Sequence, residues 1–250
     1  MTRAERLLLL VHGFAQAPVS WDEVRGLLPG DVAVAAPELP GHGQTGLSLG
    51  DPSPELAREI VAAAATEIGA PAVVWGYSQG ARVAFDLALE RPELVRALII
   101  ESGAPGIADP LARAERRSRD YALSKRLENG TIEEFVGYWE AIPALGEQSP
   151  EVRDKQRPVR LAQDPAALAA ALRGIGQASY EPMWDRLASI EVPVLLITGA
   201  EDETYDRHAV KMAALLTSAQ HVRIEGAGHA AHISEPAATV AAAVEFLDAI

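Results

Sequence analysis

The 250-residue chain contains no cysteine, which excludes disulfide staples, zinc–thiolate sites and a thiol nucleophile at once. It also lacks a long apolar run. Residues 7–11 are far too few to span a membrane, and they end in His-Gly rather than in the small residues of a signal-peptide cleavage site. A cytoplasmic protein with no membrane partner is expected. Positive charge is in short supply: 22 Lys and Arg against 35 Asp and Glu leave a formal charge of −13. That balance argues against nucleic acid and anionic membranes as partners. It does not exclude a small anion held in a locally basic pocket. No H-E-x-x-H or other metal-ligand spacing occurs, so no metal is expected. Oligomeric state is not readable from the chain.

What is present suits one α/β domain: 48% of residues are hydrophobic, enough to bury a core without covalent staples. Short apolar runs at 7–11, 32–36, 72–76, 97–101, 194–198 and 221–224 read as strands. They alternate with helical patterns over 54–68, 81–89, 208–216 and 237–247. This rhythm predicts a mostly parallel sheet with helices on both faces. Val194-Leu195-Leu196-Ile197 shows no polar alternation, as a strand buried on both faces requires. The rhythm breaks between about 105 and 184, where only helices are predicted, over 113–128, 132–139 and 166–173, with Asn129-Gly130 as a stop between the first two. The expected organisation is a core of 1–104 and 185–250 carrying a helical cap of 105–184.

Gly76-Tyr77-Ser78-Gln79-Gly80 follows a predicted strand and precedes a helical pattern. G-x-S-x-G in that strand–turn–helix context is a nucleophile elbow, which lifts the serine hydroxyl above the sheet; Ser78 is therefore the candidate nucleophile or base. The bland alternative is a serine that merely caps a helix. A serine needs a general base, and the motif's chain order places an acid and then a histidine after it. His229, in Gly226-Ala227-Gly228-His229 just past the last strand, takes that position. His232 is its rival, with a loop or supporting role expected at the start of the terminal helix. His208 and His221 fit packed or solvated positions. For the acid, Asp202 follows the strand 194–198, with Glu201, Glu203 and Asp206 close by and Glu101 as a competing strand end. The oxyanion hole is expected from the Phe14 and Gln79 amides, with His12 a structural loop residue. Gly41-His42-Gly43-Gln44-Thr45-Gly46 matches a dinucleotide fingerprint formally, but no helix can start after it, and it reads as a loop.

The elbow, together with Val11-His12-Gly13-Phe14, Leu39-Pro40-Gly41-His42-Gly43 and Gly228-His229, resembles the α/β-hydrolase superfamily. Arg82, the segment Arg113-Ala114-Glu115-Arg116, Phe135, Trp139-Glu140 and Arg160 narrow the likeness to the 2-succinyl-6-hydroxy-2,4-cyclohexadiene-1-carboxylate synthases of menaquinone biosynthesis. That resemblance implies an α/β-hydrolase fold with a helical cap, and a lyase that eliminates pyruvate from a substrate with three carboxylates. It implies no cofactor. Arg82, Arg116 and Arg160 would clamp carboxylates, which suits the paired donors of a guanidinium, while Tyr77 and Trp139 line the site. The choice of Asp202 leans on the same resemblance. Arg117 and Arg119 are read as solvated. Gln79 and Ala81 depart from the aliphatic residue and glycine usual in these enzymes, and the Gln79 carboxamide is expected to narrow the pocket. One or both early strands of larger superfamily members are expected to be missing. An esterase or carbon–carbon bond hydrolase for an acidic substrate, and a protein that only binds a ligand, remain as alternatives.

Overall fold

The computed structural model describes residues 6–142 and 150–250. Strands β1 (Arg6–Val11), β2 (Val32–Ala35), β3 (Ala72–Tyr77), β4 (Val95–Glu101), β5 (Val194–Gly199) and β6 (Ala219–Ile224) form one sheet in the order β2-β1-β3-β4-β5-β6. Every neighbouring pair is parallel. Each strand lies within two residues of the apolar run that predicted it. The alternation of side chains across the pleat divides the core into two layers. Leu98 and Ile100 of β4 pack with α2 (Pro54–Ile68) and α3 (Gln79–Glu90), whereas Ala97 and Ile99 face α1 (Asp22–Leu27) and the terminal helix (Pro236–Ala249).

Because β2 flanks β1 on one side and β3 on the other, successive crossovers leave β1 in opposite directions. That reversal opens a crevice beyond the carboxyl ends of β1 and β3, where ligands of open α/β sheets bind.

Between β4 and β5 stand α4 (Pro110–Asn129), α5 (Ile132–Glu140), α6 (Pro150–Leu161) and α7 (Pro165–Ile175), with no strand among the described residues. Of the expected helical segment, residues 143–149 lie outside the described residues, as do 1–5 at the start of the core. Local capping sets these helices: Asp109, Thr131 and Asp164 each accept a backbone N–H at the first turn. These helices share an apolar cluster of Leu127, Phe135, Val136, Leu168 and Leu172 with Ala15, and Phe14 packs against it from the same loop after β1.

Helix α6 was not expected. Its charge and Pro158, which removes a backbone donor in the helix interior, hide it from a periodicity reading. It is held by tertiary contacts instead: Val152 enters the core, and Gln156 accepts a hydrogen bond from Ser20 at 3.3 Å. The helix expected over 208–216 starts earlier, as α8 (Glu203–Ala213), because Asp202 caps it. The short α1 and α9 (Ala231–Ser234) were likewise unread, and α10 (Pro236–Ala249) closes the chain. Among the described residues no helix is long and apolar enough to cross a membrane.

Candidate active site

Strand β3 runs straight into α3 through Ser78, whose φ of 50° and ψ of −101° lie outside the regions an L-residue favours. Glycines make this turn possible by allowing backbones to touch: a Cβ on Gly80 would run into the Val11 carbonyl, and one on Gly76 into Gly80 itself. Ala81, where glycine is usual in the resembling enzymes, fits because its partner is glycine. A Cβ on Gly103 would collide with the Ala81 methyl.

The Ser78 hydroxyl donates to His229 Nε2 across 3.1 Å, and His229 Nδ1 donates to Asp202 Oδ2 across 2.7 Å. The second Asp202 oxygen accepts the Tyr205 N–H at 3.1 Å, so the N-cap of α8 immobilises the carboxylate. Its position fixes the imidazole tautomer and leaves Nε2 as acceptor. Tyr205 and Tyr77 flank the imidazole, with ring centroids 4.6 and 5.4 Å away.

The rival pair is occupied elsewhere. Glu101 Oε1 accepts both the backbone N–H and Nδ1 of His232, at 2.9 and 2.7 Å, and Oε2 accepts Trp75 Nε1 at 3.0 Å. Both side chains are wholly buried, and His232 stacks on Trp21 and meets the Tyr77 ring edge-on. Of the loop or supporting role expected for His232, the structure shows the supporting one: it belongs to a buried Glu–His pair in α9, against Tyr77. Burial, with Glu101 second, pushes the Tyr77 hydroxyl well above its ordinary value, so it stays protonated.

A cavity of about 890 Å³ opens over Ser78 and is lined by side chains of both the sheet domain and the insertion. The ten residues expected in the catalytic, oxyanion and substrate-binding roles border it: Phe14, Tyr77, Ser78, Gln79, Arg82, Arg116, Trp139, Arg160, Asp202 and His229. Neither the Phe14 nor the Gln79 N–H donates to another group among the described residues, so both remain available to an oxyanion. The Gln79 carboxamide is expected to narrow the pocket, and Gln79 borders the cavity. The carboxamide is turned to α7, where Nε2 donates to the Ile175 carbonyl at 3.0 Å.

The arginines differ in their partners. Arg160, from the unexpected α6, pairs with Glu140 at 3.1 Å. Arg116 pairs with Asp120 at 2.7 Å and donates to Gln177. Arg82 is only 5% exposed, makes a long 3.4 Å contact to the Ser78 carbonyl, leaves Nε without a partner, and has no carboxylate at ion-pair distance among the described residues. Burial lowers its pKa while Tyr205 and Tyr180 raise it. Burial likewise raises the Asp120 carboxyl against the opposing pull of Arg116.

Sequence reading missed part of this wall. Arg119 is exposed, as expected, and it also borders the cavity, as do Leu123 and Arg126. Their spacing from Arg116 marks one face of α4, and that periodicity was the available signal. Arg117 stays outside the main cavity, donating to the Ala178 carbonyl. No three His, Asp or Glu side chains gather as metal ligands among the described residues.

A family model described as the alpha/beta hydrolase family matches residues 8–243. The putative 2-succinyl-6-hydroxy-2,4-cyclohexadiene-1-carboxylate synthase of Bacillus subtilis is 32% identical, over 99% of this chain and 92% of its own. A pimeloyl acyl-carrier-protein methyl ester esterase of Aromatoleum aromaticum is 30% identical, over 92% and 93%. The solved structure of MenH from S. aureus superposes with a TM-score of 0.93 at 29% identity, covering 99% of this chain and 95% of that one.

Proposed function

Since the chain belongs to the α/β-hydrolase family and, within it, to the 2-succinyl-6-hydroxy-2,4-cyclohexadiene-1-carboxylate synthases, we propose that its cavity eliminates pyruvate from 2-succinyl-5-enolpyruvyl-6-hydroxy-3-cyclohexene-1-carboxylate, with Ser78, His229 and Asp202 as the proton-moving triad. The observation that carries this reading is Arg82. A guanidinium buried beside the serine with no acidic partner costs several kcal/mol in desolvation. An incoming carboxylate offsets that cost, whereas a neutral ester does not. Arg116 and Arg160 serve the other two carboxylates, each exchanging part of an existing ion pair for the substrate. The helical insertion, 105–184, acts as the cap that brings these two arginines over the serine, and the reaction belongs in the cytoplasm.

The chemistry follows from the site. His229 Nε2 accepts the Ser78 proton, and the serine oxygen removes the proton from the ring carbon bearing the succinyl group. Negative charge moves onto the succinyl carbonyl oxygen, where the Phe14 and Gln79 amides receive it. The electron pair returns through the ring, forming the 2,3 double bond and shifting the existing one to 4,5. The bond from ring carbon 5 to the enolpyruvyl oxygen breaks, and the enol leaves to become pyruvate. The Ser78 hydroxyl keeps the abstracted proton, and the His229 imidazolium gives its own to the departing enolate, which returns both groups to their starting protonation. Only proton and electron-pair shifts occur, so the step calls for no cofactor.

The test is pyruvate release from enzymatically generated substrate, corrected for uncatalysed elimination, in wild type, Ser78→Ala and Arg82→Ala. Release should fall about 10³-fold or more with the serine change. The Arg82 change, which removes one partner of a desolvated charge pair, should reduce kcat/KM at least about 30-fold. A wild type no faster than background would overturn the reading. The esterase relative favours a second reading, in which Ser78 attacks an acyl carbon. A stable Ser78 acyl adduct during turnover of an activated ester of an acidic acid, with no pyruvate released, would support it.

A further inference from the structure

Gln79 offers its backbone N–H to the oxyanion, but its side chain engages a different element. The carboxamide is 1% exposed, and Nε2 donates to the carbonyl of Ile175, the last residue of α7, at 3.0 Å. Carbonyls at a helix end have no intrahelical donor. This helix does not finish on a left-handed glycine that would supply one, since Gly176 is extended at φ −62° and ψ 173°. The donor therefore comes from the elbow of the other domain layer.

The two residues after Ile175 carry this bond onward to the cavity wall. Gly176 lies hard against its surroundings: a Cβ there would run into the Leu172 carbonyl, and it would stand 3.0 Å from Asp120 Oδ2. Gln177 then accepts a hydrogen bond from Arg116 Nη1, while Arg116 Nε donates to Asp120 at 2.7 Å. Two hydrogen bonds, joined by the backbone of residues 175–177, thus link the residue after the nucleophile to an arginine that lines the cavity.

We infer that Gln79 is a positioning residue for Arg116. Its side chain registers the turn 175–177, and Gln177 in that turn aims the guanidinium. Resting on the function proposed above, this inference adds that the oxyanion hole and a carboxylate clamp share a residue. Their separation matters because the ring of the substrate holds ketone and carboxylate at a set distance, and misplacement by about 1 Å can cost 10²-fold in rate. An aliphatic side chain at 79 keeps the amide and removes the tie.

The experiment is a double-mutant cycle on pyruvate release with Gln79→Leu, Arg116→Ala and the double variant, reading kcat and KM separately, with Tm recorded for each. Gln79→Leu should raise KM about tenfold and by more than it lowers kcat. In the Arg116→Ala background its effect on KM should shrink to less than about twofold, because the group it positions is gone. Gln177→Ala breaks the same link on the less buried side. It should reproduce the KM change and be non-additive with Gln79→Leu, which keeps the test available if the buried substitution fails to fold. Equal factors in both backgrounds, or an unchanged KM in the Gln79 and Gln177 variants, would overturn the inference alone. A wild type that releases pyruvate only at the background rate would overturn the function and this inference with it.

Discussion

At the scale of single residues, two carboxylate–imidazole pairs both meet Tyr77 and differ in what completes them. His229 has the Ser78 hydroxyl on its second nitrogen, whereas His232 Nε2 is buried without a partner among the described residues. The difference separates a proton relay from a packing element and leads to opposite expectations. Asp202→Asn should keep the α8 cap, since Asn caps about as well as Asp, but it presents a donor or the wrong tautomer to His229. We expect kcat to fall about 10²- to 10⁴-fold with Tm little changed. Glu101→Gln should do the reverse. One of its two oxygens becomes an NH2 facing a donor, either His232 or Trp75. The expected cost is about 1–3 kcal/mol of stability by urea unfolding, with the larger part of activity retained. The pattern reversed, a dead Glu101→Gln beside an active Asp202→Asn, would move the triad to the other pair.

At the scale of elements, the loops after β1 and β2 are clasped by two buried histidines. His12 Nε2 accepts the Leu39 N–H at 3.0 Å, so its proton sits on Nδ1 and goes to the Gly13 carbonyl at 2.9 Å. His42 donates to the Pro40 carbonyl at 3.2 Å, its ring 5.1 Å from that of His12. Burial lowers the His12 pKa to about 4; burial, and then His12, lower that of His42 to about 3. Both native values lie below the ordinary histidine value of about 6.5, so the unfolded chain binds more protons between them. Stability is complete above about pH 6.5 and is lost as pH falls toward 4 and then 3. Urea unfolding between pH 7 and 5 should show this decline, with a slope approaching 2.7 kcal/mol per pH unit from the two groups. His42→Leu should roughly halve the slope; a slope unaltered by that change would exclude the mechanism. Legibility varied at this scale too. Strands buried on both faces, such as β5, announce themselves by composition alone. Helix α6 does not, because its helicity depends on contacts with Ser20, Glu140 and the core rather than on its own period.

For the whole molecule, a chain of net charge −13 carries a cavity lined by Arg82, Arg116, Arg119, Arg126 and Arg160. Elsewhere in the insertion, Arg113, Arg157 and Arg173 pair with Glu181, Glu140 and Glu128. Arg119 has no ion pair among the described residues, and Arg126 lies over the Tyr138 ring at 4.3 Å. Asp120, Glu201, Asp202 and Glu203 share the cavity's lining, so the five arginines leave it only slightly positive, but on an acidic protein this still favours the approach of anions. Raising ionic strength from about 0.02 to 0.3 M should lower kcat/KM for the tricarboxylate several-fold, as the screening length shrinks. The Arg119→Ala, Arg126→Ala double variant should lower kcat/KM at low salt and flatten that dependence. A salt response identical to wild type would show that the two arginines play no part in capture.

Composition and periodicity determined the parallel sheet and the motif determined the elbow at Ser78, while the choice of His229 leaned on the motif's chain order and that of Asp202 on the family resemblance as well. The sheet and the elbow are each written in a few adjacent residues: an unbroken apolar run, or two glycines around a serine. Which histidine meets which carboxylate was decided only by the tertiary structure, because Glu101 and Asp202 end neighbouring strands and differ in how they face α9 and α8. The cavity's full arginine set, and the turn of the Gln79 carboxamide toward α7, were decided there as well. They depend on how the insertion lies over the sheet, a relation between residues about a hundred positions apart that no local pattern encodes.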